Sequence, residues 1–248
     1  MCRLAPVLAL PTSALRPDRH ECLPTHVSRS RPLTTDHRRF NTVIFDCDST
    51  LTTIEGIEEL ARGQREEITR LTELAMRGSV PLEQVYGHRL ELIRPSRSDI
   101  AEVGRLYLRN LVPGARETIR ALRADGVTVQ ILSGGLAPAV LMVARELGVP
   151  DSRVAAVDVR FHEDGSYLGF DSDSPLARAG GKRTWIEASD LPRPSLLIGD
   201  GATDLEARPA VDCFAAYVGV VDRPEVSRAA DVVLREPSLE AVLKLVRG

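Results

Sequence analysis

The stretch Val43-Ile44-Phe45-Asp46-Cys47-Asp48-Ser49-Thr50 decides how the rest of the chain reads. Its opening run of β-branched and aromatic residues has the composition of a parallel strand buried on both faces. The run stops at two acids one residue apart, then two hydroxyls. Open α/β sheets bind ligands at the carboxyl ends of their strands, so Asp46 and Asp48 stand where a substrate would lie. Carboxylates at i and i+2 can flank one small electrophile. They also offer hard oxygen ligands to Mg²⁺, a cation that takes one or two carboxylates plus substrate phosphate oxygens.

The bulk numbers bound the class. A chain of 248 residues holds one large or two modest domains. A hydrophobic share of 43% fits a globular protein, and a net charge of −3 gives no electrostatic case for nucleic acid or membrane as partner. Cys2, Cys22, Cys47 and Cys213 lack any C-x-x-C spacing. That argues against zinc and against a disulfide framework, and it fits a reducing, cytoplasmic setting. No apolar run is long enough to span a bilayer. Lys182 and Lys244 are the only lysines among 32 basic residues, which marks the one inside a glycine-flanked loop.

Residues 1–39 read as an N-terminal extension outside the fold. They carry prolines at 6, 11, 17, 24 and 32, many Ser and Thr, seven arginines and three acids. An Arg- and Ser-rich, acid-poor start resembles an organellar transit peptide; a disordered tail or an over-extended start is the alternative. After the first strand, helical periodicity runs to about Asn110 with no strand signal. Residues 55–111 therefore read as an inserted helical cap, and Pro113-Gly114 marks the return to the core, residues 40–54 and 112–248. From there the chain alternates: helix 115–124, strand 127–132 running into Ser133-Gly134-Gly135, helix 136–147, a strand near Val154, and a hairpin turning at Glu163-Asp164-Gly165. A loop leads to Lys182 and a helix. The strand 195–198 then delivers Gly199-Asp200-Gly201-Ala202-Thr203-Asp204, with shorter strands and a closing helix after it. Alternation of this kind predicts an α/β fold with a mostly parallel sheet covered on both faces.

Four sites at strand ends or in loops now stand in order: Asp46/Asp48, Ser133, Lys182 and Asp200/Asp204. Parallel strands point one way, so these sites converge on one edge of the sheet. A carboxylate aimed at phosphorus can form an acyl phosphate. Charge on the equatorial oxygens then needs a cation and aligned donors. Ser133 offers a hydroxyl, Gly134 and Gly135 offer closely approaching N–H groups at a helix start, and Lys182 is a compact charge. Asp200 would hold Mg²⁺ and Asp204 would order the metal's ligands.

These motifs, in this order, resemble those of the haloacid dehalogenase (HAD) superfamily, whose Rossmannoid core carries an inserted cap. The likeness extends to the phosphoserine phosphatase family through Asp48-Ser49-Thr50-Leu51, Glu55-Gly56-Ile57-Glu58-Glu59-Leu60-Ala61, Ala75-Met76, Val80-Pro81, Arg89-Leu90, Gly180-Gly181-Lys182 and Gly199-Asp200-Gly201-Ala202-Thr203-Asp204. It covers roughly residues 42–234. The resemblance implies Mg²⁺-dependent hydrolysis of O-phospho-L-serine through an aspartyl phosphate, the last step of serine synthesis. Asp46 would be the nucleophile. Asp48 would protonate the leaving oxygen and then activate water. Asp46, Asp48 through its backbone carbonyl, Asp200 and Asp204 would form the metal site. Ser133, Gly134 and Lys182 would hold the phosphoryl group. Glu55 would pair with the substrate ammonium, Arg89 with its carboxylate, and Met76 would line the pocket; the helix after Gly56 would carry the hinge.

Beside Leu136, which stands where the family has Gly-Phe after its Ser-Gly-Gly, two positions next to the family's substrate pocket depart from it. Arg77 stands where a small or polar residue is usual, and Leu82 replaces a Phe. These keep open a phosphatase or phosphotransferase acting on another small phosphomonoester, and a non-catalytic phospho-ligand-binding domain is the third reading. The expected partner is a small molecule, and the expected assembly a monomer or homodimer.

Overall fold

The strand that ends in the two acids is the middle of the sheet. A computed structural model describes residues 39–77 and 79–248; the expectations for residues 1–38 lie outside the described residues. Strand β1 (Thr42–Phe45) is buried along its whole length, which its apolar run requires and which only a central strand provides.

Beyond β1 the chain leaves the sheet through a two-stranded stem. Thr52 bridges Leu111 in antiparallel fashion. Thr53 N–H donates to the Asn110 carbonyl at 2.8 Å, and Val112 N–H to that of Leu51 at 2.9 Å. Between the two sides of the stem the regular elements among the described residues are helices: α1 (Gly56–Glu59), α2 (Arg65–Met76), α3 (Leu82–Ile93) and α4 (Arg97–Arg109). Helix α3 stops where Arg94 turns left-handed at φ 45° ahead of Pro95, a residue that cannot continue the ladder. Ser96 then opens α4 with a reciprocal cap. Its hydroxyl accepts from Asp99 N–H at 3.2 Å, and the Asp99 carboxylate accepts from Ser96 N–H at 2.9 Å.

The remainder alternates as expected: α5 (Ala115–Ala124), β2 (Thr128–Leu136), α6 (Ala137–Glu146), β3 (Val154–Val157), β4 (Val159–Phe161), β5 (Tyr167–Phe170), α7 (Gly181–Glu187), β6 (Ser195–Gly199), α8 (Ala202–Glu206), β7 (Cys213–Tyr217), α9 (Pro224–Ser227), β8 (Val232–Leu234) and α10 (Ala241–Arg247). Six strands form one sheet in the order β3-β2-β1-β6-β7-β8, and every neighbouring pair is parallel. Among the described residues strands β4 and β5 pair with each other alone, as an antiparallel hairpin outside that sheet.

Two local differences from the sequence pattern have physical causes. Ser133-Gly134-Gly135 continues β2 rather than opening a helix, because the strand pairs with β3 as far as Leu136, across an irregularity after Leu132. Helix α6 begins one residue later than expected, with Pro138 in its first turn, where a missing N–H costs no hydrogen bond. Helix α4 also packs along the core helix α6. A Cβ on Gly104 would come 2.3 Å from Met142 Sδ, so the missing side chain is what lets the two helices approach. One helix of the insertion is therefore held against the core.

Candidate active site

The carboxyl edge of the sheet brings the four motifs together. Lys182, in the first turn of α7, is 4% exposed, and its ammonium lies 2.9 Å from Asp46 Oδ1 and 2.7 Å from Asp204 Oδ1. Asp46 Oδ1 also accepts from Cys47 N–H at 2.7 Å. Asp204 packs so closely on Gly199 that a Cβ there would sit 2.1 Å from its carboxyl carbon; glycine at the end of β6 is a steric requirement. Asp46, Asp200 and Asp204 are all buried, with one oxygen of each within 4.8 Å of the others. Three hard oxygen donors converging on one buried point suit a divalent cation. The Asp48 side chain stands outside this triad, so any share it takes in metal binding falls to its backbone carbonyl.

Asp48 is turned the other way. Its Oδ1 accepts from Gly56 N–H at 2.6 Å and from the Tyr107 hydroxyl at 2.5 Å. Ser133 is fully buried, and its Oγ accepts from Gly135 N–H at 2.9 Å. Gly134 lines the same pocket as Asp46, Asp48, Lys182 and Asp200. Glu55, Met76 and Arg89 of the insertion line it from above. Arg89 is 2% exposed; one of its terminal nitrogens donates to Thr72 Oγ1 at 2.9 Å, and its Nε is buried without a hydrogen-bond partner among the described residues. Its guanidinium lies 5.5 Å from the Tyr86 ring centre. Met76 reaches across to the core, where a Cβ on Gly201 would meet its sulfur at 3.1 Å.

Burial sets the proton affinities here. It pushes Asp48 up to about 6, with Asp46's charge adding to it and the Tyr107 and Gly56 donors opposing. It pushes Glu55 up to about 7, helped by Asp48 and opposed by Arg223 and Ser49. Asp204 is also pushed up to about 7, against the pull of Lys182. For Lys182 burial alone would lower the affinity, but Asp204 and Asp46 outweigh it and the ammonium holds its proton more firmly than usual. Burial also raises Tyr107 well above its ordinary value, so its hydroxyl stays a donor at neutral pH. The Cys47 thiol is fully buried and likewise raised, a packed side chain as its place between the acids suggests.

These shifts fix a sign for stability. A carboxyl whose folded affinity is raised stabilises the fold below its unfolded value, and that contribution is lost as pH climbs through the folded value. For Asp48, Glu55 and Asp204 the window runs from about 4 to about 7. The surface pairs whose carboxylates are lowered, such as Glu102 and Asp151, stabilise weakly above the ordinary carboxylate range and lose that contribution only at more acidic pH, outside this window. The melting temperature in EDTA should therefore fall between pH 5 and pH 8. Excess Mg²⁺ should flatten that fall by neutralising the triad. A flat EDTA curve by calorimetry would contradict the charge arrangement.

With this geometry in place, comparison with known proteins is decisive. The sequence model of the haloacid dehalogenase-like hydrolases matches residues 40–212. Phosphoserine phosphatase of Homo sapiens is 38% identical over 189 residues, covering 74% of this chain and 84% of that protein. The chain belongs to the phosphoserine phosphatase family of haloacid dehalogenase-like hydrolases. The chloroplastic phosphoserine phosphatase of Arabidopsis thaliana is 39% identical over 201 residues, covering 78% of this chain and 68% of that one. A solved phosphoserine phosphatase carrying an analogue of the phospho-aspartyl intermediate superposes with a TM-score of 0.72 at 26% identity, covering 83% of this chain and 98% of that one.

In this phosphomonoester hydrolase three site residues escaped the sequence reading. Arg223, on the loop between β7 and α9, is 3% exposed and touches Asp200 Oδ2. It also lies 3.5 Å from Glu55 and 3.6 Å from Glu73. The signal was available, since that loop leaves the same carboxyl edge as the other motifs. Tyr86 lines the pocket and donates from its hydroxyl to the Gly134 carbonyl at 2.8 Å, joining insertion to core. Tyr107 gave no signal, because its partner lies across the stem. The two departures resolve differently. Arg77 is exposed and pairs with Glu73 at 3.3 Å. Leu82 is buried in the pocket wall, with Tyr86 one turn further on the same face, so aromatic bulk reaches the pocket from the next turn of α3.

Proposed function

We propose that this phosphatase hydrolyses O-phospho-L-serine to serine and phosphate with Mg²⁺, through an aspartyl phosphate on Asp46. The observation that carries the substrate is that Glu55 and Arg89, an acid and a base from the insertion, line one pocket together with Asp46, Asp48 and Lys182. Phosphoserine presents an ammonium and a carboxylate beside its phosphate, and each has a partner of opposite charge here. The orphan Nε of Arg89 matches the two-pronged hydrogen bond of a guanidinium with a carboxylate. Asp46, Asp200 and Asp204 would hold Mg²⁺, which when bound neutralises charge on the phosphoryl oxygens.

The residues divide the work. Asp46 attacks phosphorus, while the Lys182 ammonium, 2.9 Å away, holds its carboxylate in place. Asp48, with a proton affinity raised to about 6, gives a proton to the leaving oxygen and takes one from water afterwards. Ser133 and Gly134 fix the phosphoryl oxygens. Residues 55–111 act as a cap that excludes water, with the stem at Thr52 and Leu111 as its attachment. We place the enzyme in the cytoplasm, with an organelle as the alternative if residues 1–39 are an address; no helix among the described residues is long and apolar enough to cross a membrane.

Phosphate release from phosphoserine, with Mg²⁺ and with EDTA, beside a panel of small phosphomonoesters, tests this reading. Arg89→Met sharpens it. The variant should lose on the order of a hundred-fold in kcat/KM on phosphoserine, the worth of two charge-assisted hydrogen bonds. On O-phosphoethanolamine, which lacks the carboxylate, it should change little. Equal losses on both compounds would mean that Arg89 does not read the carboxylate. Faster turnover of another panel member, with phosphoserine left intact, would overturn the substrate and keep the chemistry.

A further inference from the structure

Asp48 Oδ1 takes two donors: the Tyr107 hydroxyl at 2.5 Å and the Gly56 N–H at 2.6 Å. Its other oxygen faces the phosphoryl side. A Cβ on Gly135 would meet Asp48 Oδ2 at 2.9 Å and Ser133 Oγ at 3.1 Å. Tyr107 is 1% exposed and sits on α4, the helix held against α6 of the core. Its hydroxyl is therefore fixed relative to the sheet that carries Asp48. The same hydroxyl explains Gly56, since a Cβ there would lie 2.0 Å from it.

We propose that Tyr107 is a positioning residue for the proton transfers. Together with Gly56 N–H it holds Oδ1 as a permanent acceptor and thereby commits Oδ2 to carry the proton. The Gly56 N–H cannot reverse, so a proton on Oδ1 would force the Tyr107 hydroxyl to turn and accept it and would weaken Oδ1 as the acceptor for Gly56, whereas a proton on Oδ2 disturbs neither bond. In the acid form Oδ1 is thus the carbonyl oxygen and Oδ2 the hydroxyl. This inference rests on the phosphatase reading above. In the first half-reaction an Asp46 oxygen bonds to phosphorus. The bond from phosphorus to the serine oxygen breaks with its electron pair on that oxygen, which takes the proton from Asp48 Oδ2. In the second half a water oxygen bonds to phosphorus and its proton passes to Oδ2. The bond from phosphorus to Asp46 breaks, and the pair returns to the Asp46 carboxylate. Oδ1 keeps both donors throughout, so neither half requires the carboxyl to turn.

The test compares leaving groups. Departure of serine from phosphoserine needs a proton, whereas departure of acetate from acetyl phosphate needs none. For Tyr107→Phe, kcat/KM on phosphoserine should fall roughly 10- to 100-fold, a part of the 10²–10⁴ that general acid catalysis supplies. On acetyl phosphate it should fall less than about twofold, and KM for phosphoserine should hold within about twofold. Gly56→Ala, which displaces the hydroxyl by a different route, should give the same split. A merely structural Tyr107 would depress both substrates alike or raise KM, and that result, or an unchanged kcat/KM, would overturn the proposal. A wild-type protein inactive on phosphoserine would instead remove the reading beneath it.

Discussion

Asp46→Asn should lower phosphate release by on the order of 10⁴-fold or more while leaving the protein folded and able to bind phosphoserine. The substitution preserves shape and keeps an oxygen for Cys47 N–H, which now donates to Asp46 Oδ1 at 2.7 Å. What it removes is the carboxylate oxygen proposed to bond to phosphorus, and no geometry substitutes for a missing nucleophile. Binding should persist because Glu55, Arg89 and Lys182 are untouched, and one negative charge facing the phosphate is gone. Calorimetric titration beside a phosphate-release assay checks both halves, and quenched wild-type enzyme should carry a labile phosphoryl group that the variant lacks. A variant that keeps more than about a hundredth of the activity would show that another group attacks phosphorus.

Lys182→Met should be the most damaging single change to the fold of the site. The ammonium lies between Asp46 and Asp204, at 2.9 and 2.7 Å, with 4% of its side chain exposed. Removing it leaves two buried carboxylates facing each other. Breaking one partner from a buried pair costs about 3–5 kcal/mol, which for a chain of this length lowers the melting temperature by roughly 6–20 °C. The cost should depend on pH. Asp204 is already pushed up to about 7, and without Lys182 it rises further, so it accepts a proton in mild acid. Urea unfolding in EDTA should therefore show a smaller loss at pH 5 than at pH 8. A loss under about 1 kcal/mol, alike at both, would mean that the lysine does not bridge these acids. Turnover should vanish in either case, since in the proposed mechanism Lys182 is the fixed cation beside Asp46 and the phosphoryl oxygens.

Much of this site was legible because its chemistry is local to strand ends. An apolar run that stops at acids announces both the buried strand and the edge it points to. This holds for Val43–Asp48 and again for Leu196–Asp200, and parallel pairing then forces such ends together. Lys182 stood out for a different reason, one of two lysines in an arginine-rich chain, set after two glycines. Those glycines are needed: Gly180 has φ 69°, and a Cβ on Gly181 would strike the Pro175 carbonyl at 1.7 Å. Arg223 went unread because one arginine among many carries no contrast, although the loop that bears it leaves the right edge.

The insertion was harder to read. Helical periodicity marked the insertion as helical as far as about Asn110, since spacing along the chain decides which side chains share a face. Periodicity says nothing of which helix lies against what. That α4 packs on α6 depends on a missing side chain at Gly104 meeting Met142, and that Tyr107 finds Asp48 depends on the stem bringing Thr52 beside Leu111. The sequence by itself determined the alternating core, the order of the strand ends and the identity of the charged groups, because each of these follows from period, composition and chain direction. Only the tertiary structure decided the orientation of Asp48, the burial of Arg89 and Arg223, and the outward turn of Arg77. Those outcomes come from contacts between segments far apart in the chain, where packing, not propensity, selects the arrangement.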